Sequence, residues 1–150
     1  MNDHVAVFML DVGQGDSTVV LLPNGDAVVF DCADDQVLSK LLEQWKVPAI
    51  EAFVLSHLDR DHIGGALSFL KGWSGPIRSV HLSTDRDISD DHEEAKRAKA
   101  LVDHAVEESK DTHARPRRWE LLPSTRDHRA LAAGAGWSVR LLAPPQGQLL

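Results

Sequence analysis

The chain contains one cysteine, Cys32, and this scarcity excludes an internal disulfide framework. Long apolar runs are also missing, since none approaches the ~20 residues that a membrane-spanning helix requires. The first four residues lack the charged start of a signal peptide. Positive charge is in deficit, because the chain has 16 lysines and arginines against 23 acidic residues. The resulting net charge of −7 repels the phosphates of nucleic acid as an overall effect. These absences favour a soluble, cytoplasmic protein that makes no membrane contact.

The apolar residues predict a single α/β domain. With 150 residues, 43% of them hydrophobic, the chain can form one core, and it shows neither an internal repeat nor a domain linker. Apolar runs predict strands at 5–10, 18–22, 27–30, 50–55, 77–82, 119–122 and 137–142, and periodic patterns predict helices at 34–45, 66–73 and 90–110. Because the first strands are apolar throughout, we expect both faces of their sheet to be covered. The alternation of strands and helices indicates a layered fold.

Local signals mark the ends of two of these helices. Asp34 is expected to cap the first helix, and Pro48 is expected to end it. Asp90 with Glu93 resembles a capping box at the start of the last helix. Glu93 and Arg97 also have the i, i+4 spacing of a stabilising ion pair on a helix.

Residues 57–65 read HLDRDHIGG and are the most informative segment of the chain. They place two imidazoles and two carboxylates directly after the apolar run 52–55, and two glycines, Gly64 and Gly65, follow. One interpretation is a charged surface turn whose side chains are simply solvated. Four metal-binding donors at the end of a buried strand favour the other interpretation, which is a metal site.

The spacing of the four donors allows two neighbouring ions. In an extended segment residues two apart point the same way, so His57 and Asp59 can bind one ion. Where the chain then turns into a helix, Asp61 and His62 can face a second ion. Imidazole and carboxylate donors together suit zinc, manganese or iron better than calcium or magnesium.

Residues 56–65, SHLDRDHIGG, resemble the metal-binding signature of the metallo-β-lactamase-fold hydrolases. Asp59 stands where the commonest form of that signature has its second histidine. This variant is similar to the branch related to the metallo-hydrolase domain of the ComEC/Rec2 competence proteins. Residues 8–17, FMLDVGQGDS, and 29–33, VFDCA, look like two further segments of that branch. The resemblance is strong over residues 5–73 and general beyond them.

The resemblance implies an αββα sandwich with a metal site at one edge. In that family His57 and Asp59 would bind the first metal, and Asp61 and His62 the second. Asp61 would also be the catalytic residue, because it is placed both to bind metal and to orient the nucleophile.

The resemblance also implies supporting roles for residues near the site. Asp31 would buttress the ligand loop rather than bind metal. Asp11 and Asp16 would shape the opening hairpin, while Gly64 and Gly65 would allow close packing beside the ligands.

These expectations together predict a metal-dependent hydrolase. Two divalent ions, zinc most plausibly, would lower the pKa of a shared water toward ~7 and supply hydroxide at neutral pH. The resembling branch favours phosphodiesters, as in a nuclease or phosphodiesterase, with nucleic acid as a possible substrate. Arg115, Arg117 and Arg118, beside Trp119, could contact phosphates. A solvated basic loop is an equally good interpretation of these arginines.

The family completes its metal site with later residues, namely a bridging carboxylate and a further histidine or polar substitute. Those follow a segment like 137–145, so we expect residues 1–150 to be the N-terminal portion of the full fold, truncated at its C-terminus. His81 is expected to be a structural histidine rather than the missing ligand. The alternative function is therefore a non-catalytic or incomplete fragment that acts through a homo-oligomer or a completing partner chain.

Overall fold

The computed structural model describes residues 4–82, 118–121, 130–134 and 137–140, and eight helical positions at 93, 96, 97, 99–101, 103 and 104. For residues 118–121 and 130 it describes the backbone alone. The strands are β1 (Ala6–Met9), β2 (Thr18–Leu21), β3 (Ala27–Phe30), β4 (Ile50–Leu55), β5 (Ser79–Leu82), β6 (Arg118–Leu121), β7 (Ala130–Gly134) and β8 (Trp137–Arg140). The helices are α1 (Asp35–Gln44), α2 (Arg60–Ile63) and α3 (Ala66–Gly72).

Six strands form one mixed sheet in the order β1-β2-β3-β4-β5-β6. The first three pair antiparallel, whereas β3, β4, β5 and β6 run parallel to one another. β7 and β8 form a separate antiparallel pair. Because parallel strands end at the same edge of a sheet, the segments that follow β3 and β4 meet there. The predicted α/β layered fold is confirmed.

The central strands carry apolar side chains on both faces. On one face, Val29 and Phe53 belong to a buried cluster that also contains residues of α1, α3 and the 93–104 helix, namely Leu38, Leu42, Ala66, Phe69, Leu70 and Leu101. On the other face, Val28 and Val54 pack with Leu131 of β7. The large sheet therefore lies between a helical layer and a second sheet, which is why β3 is apolar throughout and β4 is apolar at every position except Glu51.

The expectation of two covered faces is wrong for β1. Phe8 packs against the ring of Trp45, with ring centroids 5.1 Å apart. Val7 and Met9 point the other way and are 62% and 85% exposed. β1 is an edge strand, and the described part of the second sheet covers β2, β3 and β4 instead.

Different local structures define the start and the end of α1. Asp34 caps the first turn as predicted, because its Oδ1 accepts hydrogen bonds of 2.8 and 3.0 Å from the amides of the second and third residues after it. The helix ends at Gln44, before Pro48 is reached. Lys46 adopts a left-handed conformation with φ of 51°, and Val47 N donates to Leu42 O at 2.9 Å. A left-handed residue of this kind closes a helix without a proline.

The later elements differ from their predictions in detail. β7 was not predicted, because its sequence, ALAAG, has little strand propensity. Glu93 pairs with Lys96 at 3.3 Å rather than with Arg97. Asp90, and with it the predicted capping box, lies outside the described residues. Among the described residues, no helix is long and apolar enough to cross a membrane.

Candidate metal centre

The predicted metal-binding segment lies at the edge where β3 and β4 end. Ser56 and His57 follow β4 directly, and α2 begins one residue after Asp59. Asp61 and His57 are exposed, whereas Asp59 is half-buried. The segment therefore presents its polar side chains at the rim of the sheet.

The Asp31 carboxylate is the centre of the hydrogen bonds at this edge. Its Oδ1 accepts from Ser56 N at 2.8 Å, and its Oδ2 accepts from Ser56 Oγ at 2.7 Å. The same Oδ2 lies 2.9 Å from His62 Nδ1. The Asp31 side chain is only 9% exposed, and its φ of 57° is a conformation that aspartate tolerates better than most residues. These are the contacts of a residue that holds the loop in place.

The same contacts determine which imidazole nitrogen carries the proton. His62 Nδ1 faces a carboxylate, so this nitrogen carries the hydrogen and donates it to Asp31. Ser56 Oγ uses its own hydrogen on Asp31, so it accepts from His57 Nδ1 at 3.2 Å. In the neutral form of each histidine, Nε2 is then the nitrogen without a hydrogen, as metal binding by imidazole requires. Their ring centroids lie 5.0 Å apart.

His62 is also the titratable group that this site perturbs most clearly. Partial burial by itself lowers the pKa of His62. The hydrogen bond and negative charge of Asp31, with the charges of Asp61 and Asp16, outweigh that effect, and the pKa of His62 is raised above 6.5. Three carboxylates around one imidazole make this point attractive to a cation.

Two of the four predicted ligands are brought together. His62 Nε2 lies 3.8 Å from Asp61 Oδ2. Zinc binds nitrogen and oxygen donors at about 2.0–2.2 Å, so two donors of one ion lie roughly 3–4 Å apart. Across the described parts of the chain, no three histidine, cysteine, aspartate or glutamate side chains converge tightly enough to enclose an ion. The spacing of the Asp61 and His62 donors fits a metal, and the assignment of all four residues as ligands stays a prediction.

Backbone hydrogen bonds hold α2 against the two neighbouring loops. Cys32 N donates to His62 O at 2.7 Å, and Gly65 N donates to Cys32 O at 2.9 Å. From the opening loop, Asp16 N donates to Asp61 O at 2.8 Å. The position of α2 therefore depends on the loops after β1 and β3.

The side chains of the two acidic residues in the opening loop, Asp16 and Asp11, make different contacts. The Asp16 carboxylate approaches His62 Nδ1 at 3.9 Å, with its side chain 70% exposed. Asp11 Oδ1 accepts a 3.4 Å hydrogen bond from Gly13 N within its own loop. Of these two carboxylates, that of Asp16 joins the opening loop to the histidine.

The two glycines that end the motif, Gly64 and Gly65, pack against main-chain atoms. A Cβ atom on Gly64 would lie 2.9 Å from Ala33 O, and one on Gly65 would overlap the Asp35 amide nitrogen. Gly15 is equally constrained, because a Cβ there would lie 2.5 Å from Asp61 O. The helix beside the ligands can approach its neighbours this closely only without side chains at these positions.

A polar cleft of about 970 Å³ opens beside these residues. Its lining comes from the opening loop, the start of α1, the α2 region and the 93–104 helix, and includes Gln14, Asp34, Asp59, Arg60, Asp61 and Arg97. Asp61 connects this cleft to His62 Nε2. A molecule in the cleft would therefore lie next to Asp61 and His62.

Sequence reasoning missed two features of the site. Ser56 links both histidines to Asp31, and the only sequence signal was its position next to His57. Arg97 lines the cleft, which the sequence could not reveal because this contact depends on how the helix packs. Arg115 and Arg117 lie outside the described residues, and Arg118 begins β6.

His81 belongs to β5 and not to the segment of the predicted donors. It is 4% exposed on β5, and its Nε2 lies 3.0 Å from the hydroxyl of Ser79, which donates to Glu51 O. The expectation of a structural histidine agrees with this buried position.

One family of known proteins matches almost the whole chain. The family model of the metallo-beta-lactamase superfamily matches residues 10–143. The chain belongs to this superfamily. The match spans most of the described residues, including the α2 loop, Asp31 and the 93–104 helix. No curated protein matches the chain.

A solved structure shows the same fold. The crystal structure of BLEG-1 B3 metallo-beta-lactamase aligns with a TM-score of 0.50 and 24% sequence identity. The alignment covers 81% of this chain and 55% of that chain, so the chain spans little more than half of that protein's length. At this identity the likeness shows the fold alone. Neither comparison supports the narrower likeness to the ComEC/Rec2 branch, which stays a prediction.

Proposed function

We propose that this chain is a metal-dependent hydrolase that cleaves phosphodiesters. Membership of the metallo-beta-lactamase superfamily supports metal-dependent hydrolysis as the general class. Phosphodiesters are the finer part of the proposal, supported by the resemblance of residues 8–17 and 56–65 to the ComEC/Rec2 branch.

One observation carries the proposal. Asp31 accepts the hydrogen bond of His62 Nδ1 at 2.9 Å, so in the neutral imidazole Nε2 is the free acceptor, and it lies 3.8 Å from the Asp61 carboxylate at the margin of the cleft. A carboxylate behind a histidine is the usual arrangement around a metal-binding imidazole, because it fixes the ring and increases its basicity.

His57, Asp59, Asp61 and His62 would hold the metals, with zinc as the preferred ion. When bound, divalent ions supply a water of lowered pKa and positive charge for the developing oxyanion. Asp61 lies on the cleft wall, where its carboxylate can accept a hydrogen bond from an entering water and orient it. Asp31 and Ser56 keep both imidazoles in the orientation that this requires.

Elemental analysis and a model substrate test the proposal. The purified chain, loaded with zinc or manganese and then dialysed, is expected to retain one or two ions and to hydrolyse bis(p-nitrophenyl) phosphate. The double variant His57→Ala/His62→Ala should lose both the metal and the hydrolysis. His4→Ala removes an exposed imidazole far along the chain from the motif and should change neither.

Circular dichroism separates loss of metal from loss of fold. A wild-type chain that is folded but retains no zinc, manganese or iron would refute the proposed metal centre. A metal-loaded chain that cleaves only carboxylic esters or lactams would keep the hydrolase and refute the phosphodiester substrate.

A further inference from the structure

The described helical positions between 93 and 104 carry three cations that have different surroundings. Lys96 Nζ lies 3.3 Å from a Glu93 oxygen, and Lys99 Nζ lies 2.7 Å from an Asp103 oxygen. Both lysines are thus paired along the helix surface. Arg97 instead lines the cleft.

A second guanidinium lies on the same cleft wall. Arg60 is the first residue of α2, between Asp59 and Asp61, and it also lines the cleft. No carboxylate among the described residues lies within ion-pair distance of either Arg60 or Arg97. The cleft therefore contains two cationic groups whose hydrogen-bond donors are not used by the described parts of the chain.

We propose that Arg97 and Arg60 bind the anionic phosphodiester group of the substrate in this cleft. The proposal rests on the proposed function and names the residues that would make the cleft selective for an anionic substrate. A guanidinium presents forked N–H donors that match two oxygens of one phosphate, which a lysine cannot do. Arg97 and Arg60 belong to different elements, so the anion lies between the helix and α2, next to Asp61.

The charges of the cleft explain why such residues are needed. The chain has a net charge of −7, so an anion meets general repulsion. Among the described residues that line the cleft, three carboxylates, those of Asp34, Asp59 and Asp61, accompany the two guanidiniums. When bound cations or substitution neutralise the carboxylates of Asp59 and Asp61, the two guanidiniums outnumber the one carboxylate left among the described lining residues, and this balance favours an anion.

The experiment separates anion binding from metal binding. The variant Asp59→Asn/Asp61→Asn neutralises the two carboxylates without any metal, and calorimetry then measures its affinity for a thymidine dinucleotide with one phosphodiester. Adding Arg97→Gln or Arg60→Gln is expected to raise the Kd about tenfold, the scale of one charge-assisted contact. Adding Lys96→Gln, which removes the same charge from the same helix, should leave the Kd within about twofold.

A neutral ligand provides the second control. The methylphosphonate form of the dinucleotide lacks the negative charge, and its Kd should not respond to Arg97→Gln. Equal losses from Arg97→Gln and Lys96→Gln, or no binding of the charged dinucleotide, would overturn the proposal. Failure of the wild-type chain to bind zinc would refute the proposed function alone, because this measurement uses no metal.

Discussion

Gly65 lies so close to Asp35 that a Cβ atom on the glycine would overlap the Asp35 amide nitrogen. The clash is with main chain at the start of α1, which cannot move aside as a flexible side chain can. Gly65→Ala is therefore expected to lower the free energy of unfolding by about 1–3 kcal/mol. Urea unfolding followed by tryptophan fluorescence measures the change.

Gly72→Ala is the matched control for this substitution. Gly72 ends α3, and a Cβ there meets nothing within 4 Å. The alanine should stabilise the chain by about 0.5–1 kcal/mol, since it restricts the unfolded state without a clash. Equal effects of Gly65→Ala and Gly72→Ala would contradict the close packing of Gly65 against α1.

Asp31→Asn tests whether the carboxylate supports a metal-binding histidine. Asparagine tolerates the φ of 57° and keeps the size of the side chain, but it removes the charge behind His62. The Kd for zinc is expected to rise about 10–100-fold, as measured by competition with a coloured chelator. Glu43→Gln removes an exposed carboxylate from α1 and should leave the zinc affinity unchanged.

The metal-free Asp31→Asn chain gives a second readout. Because Asp31 raises the pKa of His62, the substitution should lower that pKa, and NMR titration of the imidazole measures it. A folded variant with unaltered zinc affinity and an unaltered His62 pKa would show that Asp31 serves packing only.

Cys32 is expected to be inert in the folded chain. Its side chain is completely buried, and burial together with the negative charges of Asp35, Asp34 and Asp31 raises the pKa of the thiol. A disulfide reagent at pH 8 should react with no thiol until urea is added. Lys40→Cys places a thiol on the exposed surface of α1, so that variant should show one rapidly reacting thiol and one protected thiol.

Asp26 makes the folded chain less stable as the pH rises. Burial, followed by the hydrogen bond and charge of Glu51, raises the pKa of Asp26 above 3.8, although Arg78 and Asn24 act in the opposite direction. Between pH 3.8 and the raised value the folded state holds more protons than the unfolded state, so stability falls with increasing pH. Urea unfolding across this range should show Asp26→Asn gaining stability relative to the wild type.

Arg78→Gln tests the sign of this effect. Removing the guanidinium removes an influence that lowers the pKa of Asp26, so the decline in stability should extend to higher pH. A wild-type chain that gained stability over Asp26→Asn as the pH rose would contradict a raised pKa for Asp26.

The sequence predicted those parts of the fold that depend on local patterns. β4 has the expected bounds, and Asp34 caps α1 by hydrogen bonds to amides that follow it closely in the chain. β7 escaped prediction because alanine and glycine carry no strand pattern. The exposure of Met9 depends on its edge position, which only the assembled sheet defines.

The candidate site divides in the same way. Its four predicted donors lie in one short segment and could be recognised by residue type. The link between Ser56 and Asp31 joins residues 25 positions apart, and the approach of Arg97 to the cleft requires a packed helix. Neither contact could be predicted from the spacing of residues along the sequence.

The backbone bonds around α2 have a consequence for how such a site can change. The peptide groups of Asp61 and His62 accept from Asp16 and Cys32 through main-chain atoms, so these bonds do not depend on the side chains. The side chains at this rim can therefore change while the main-chain hydrogen bonds that position α2 remain. Replacing one donor side chain by another at this rim is therefore expected to change its affinity for cations without rebuilding the loop.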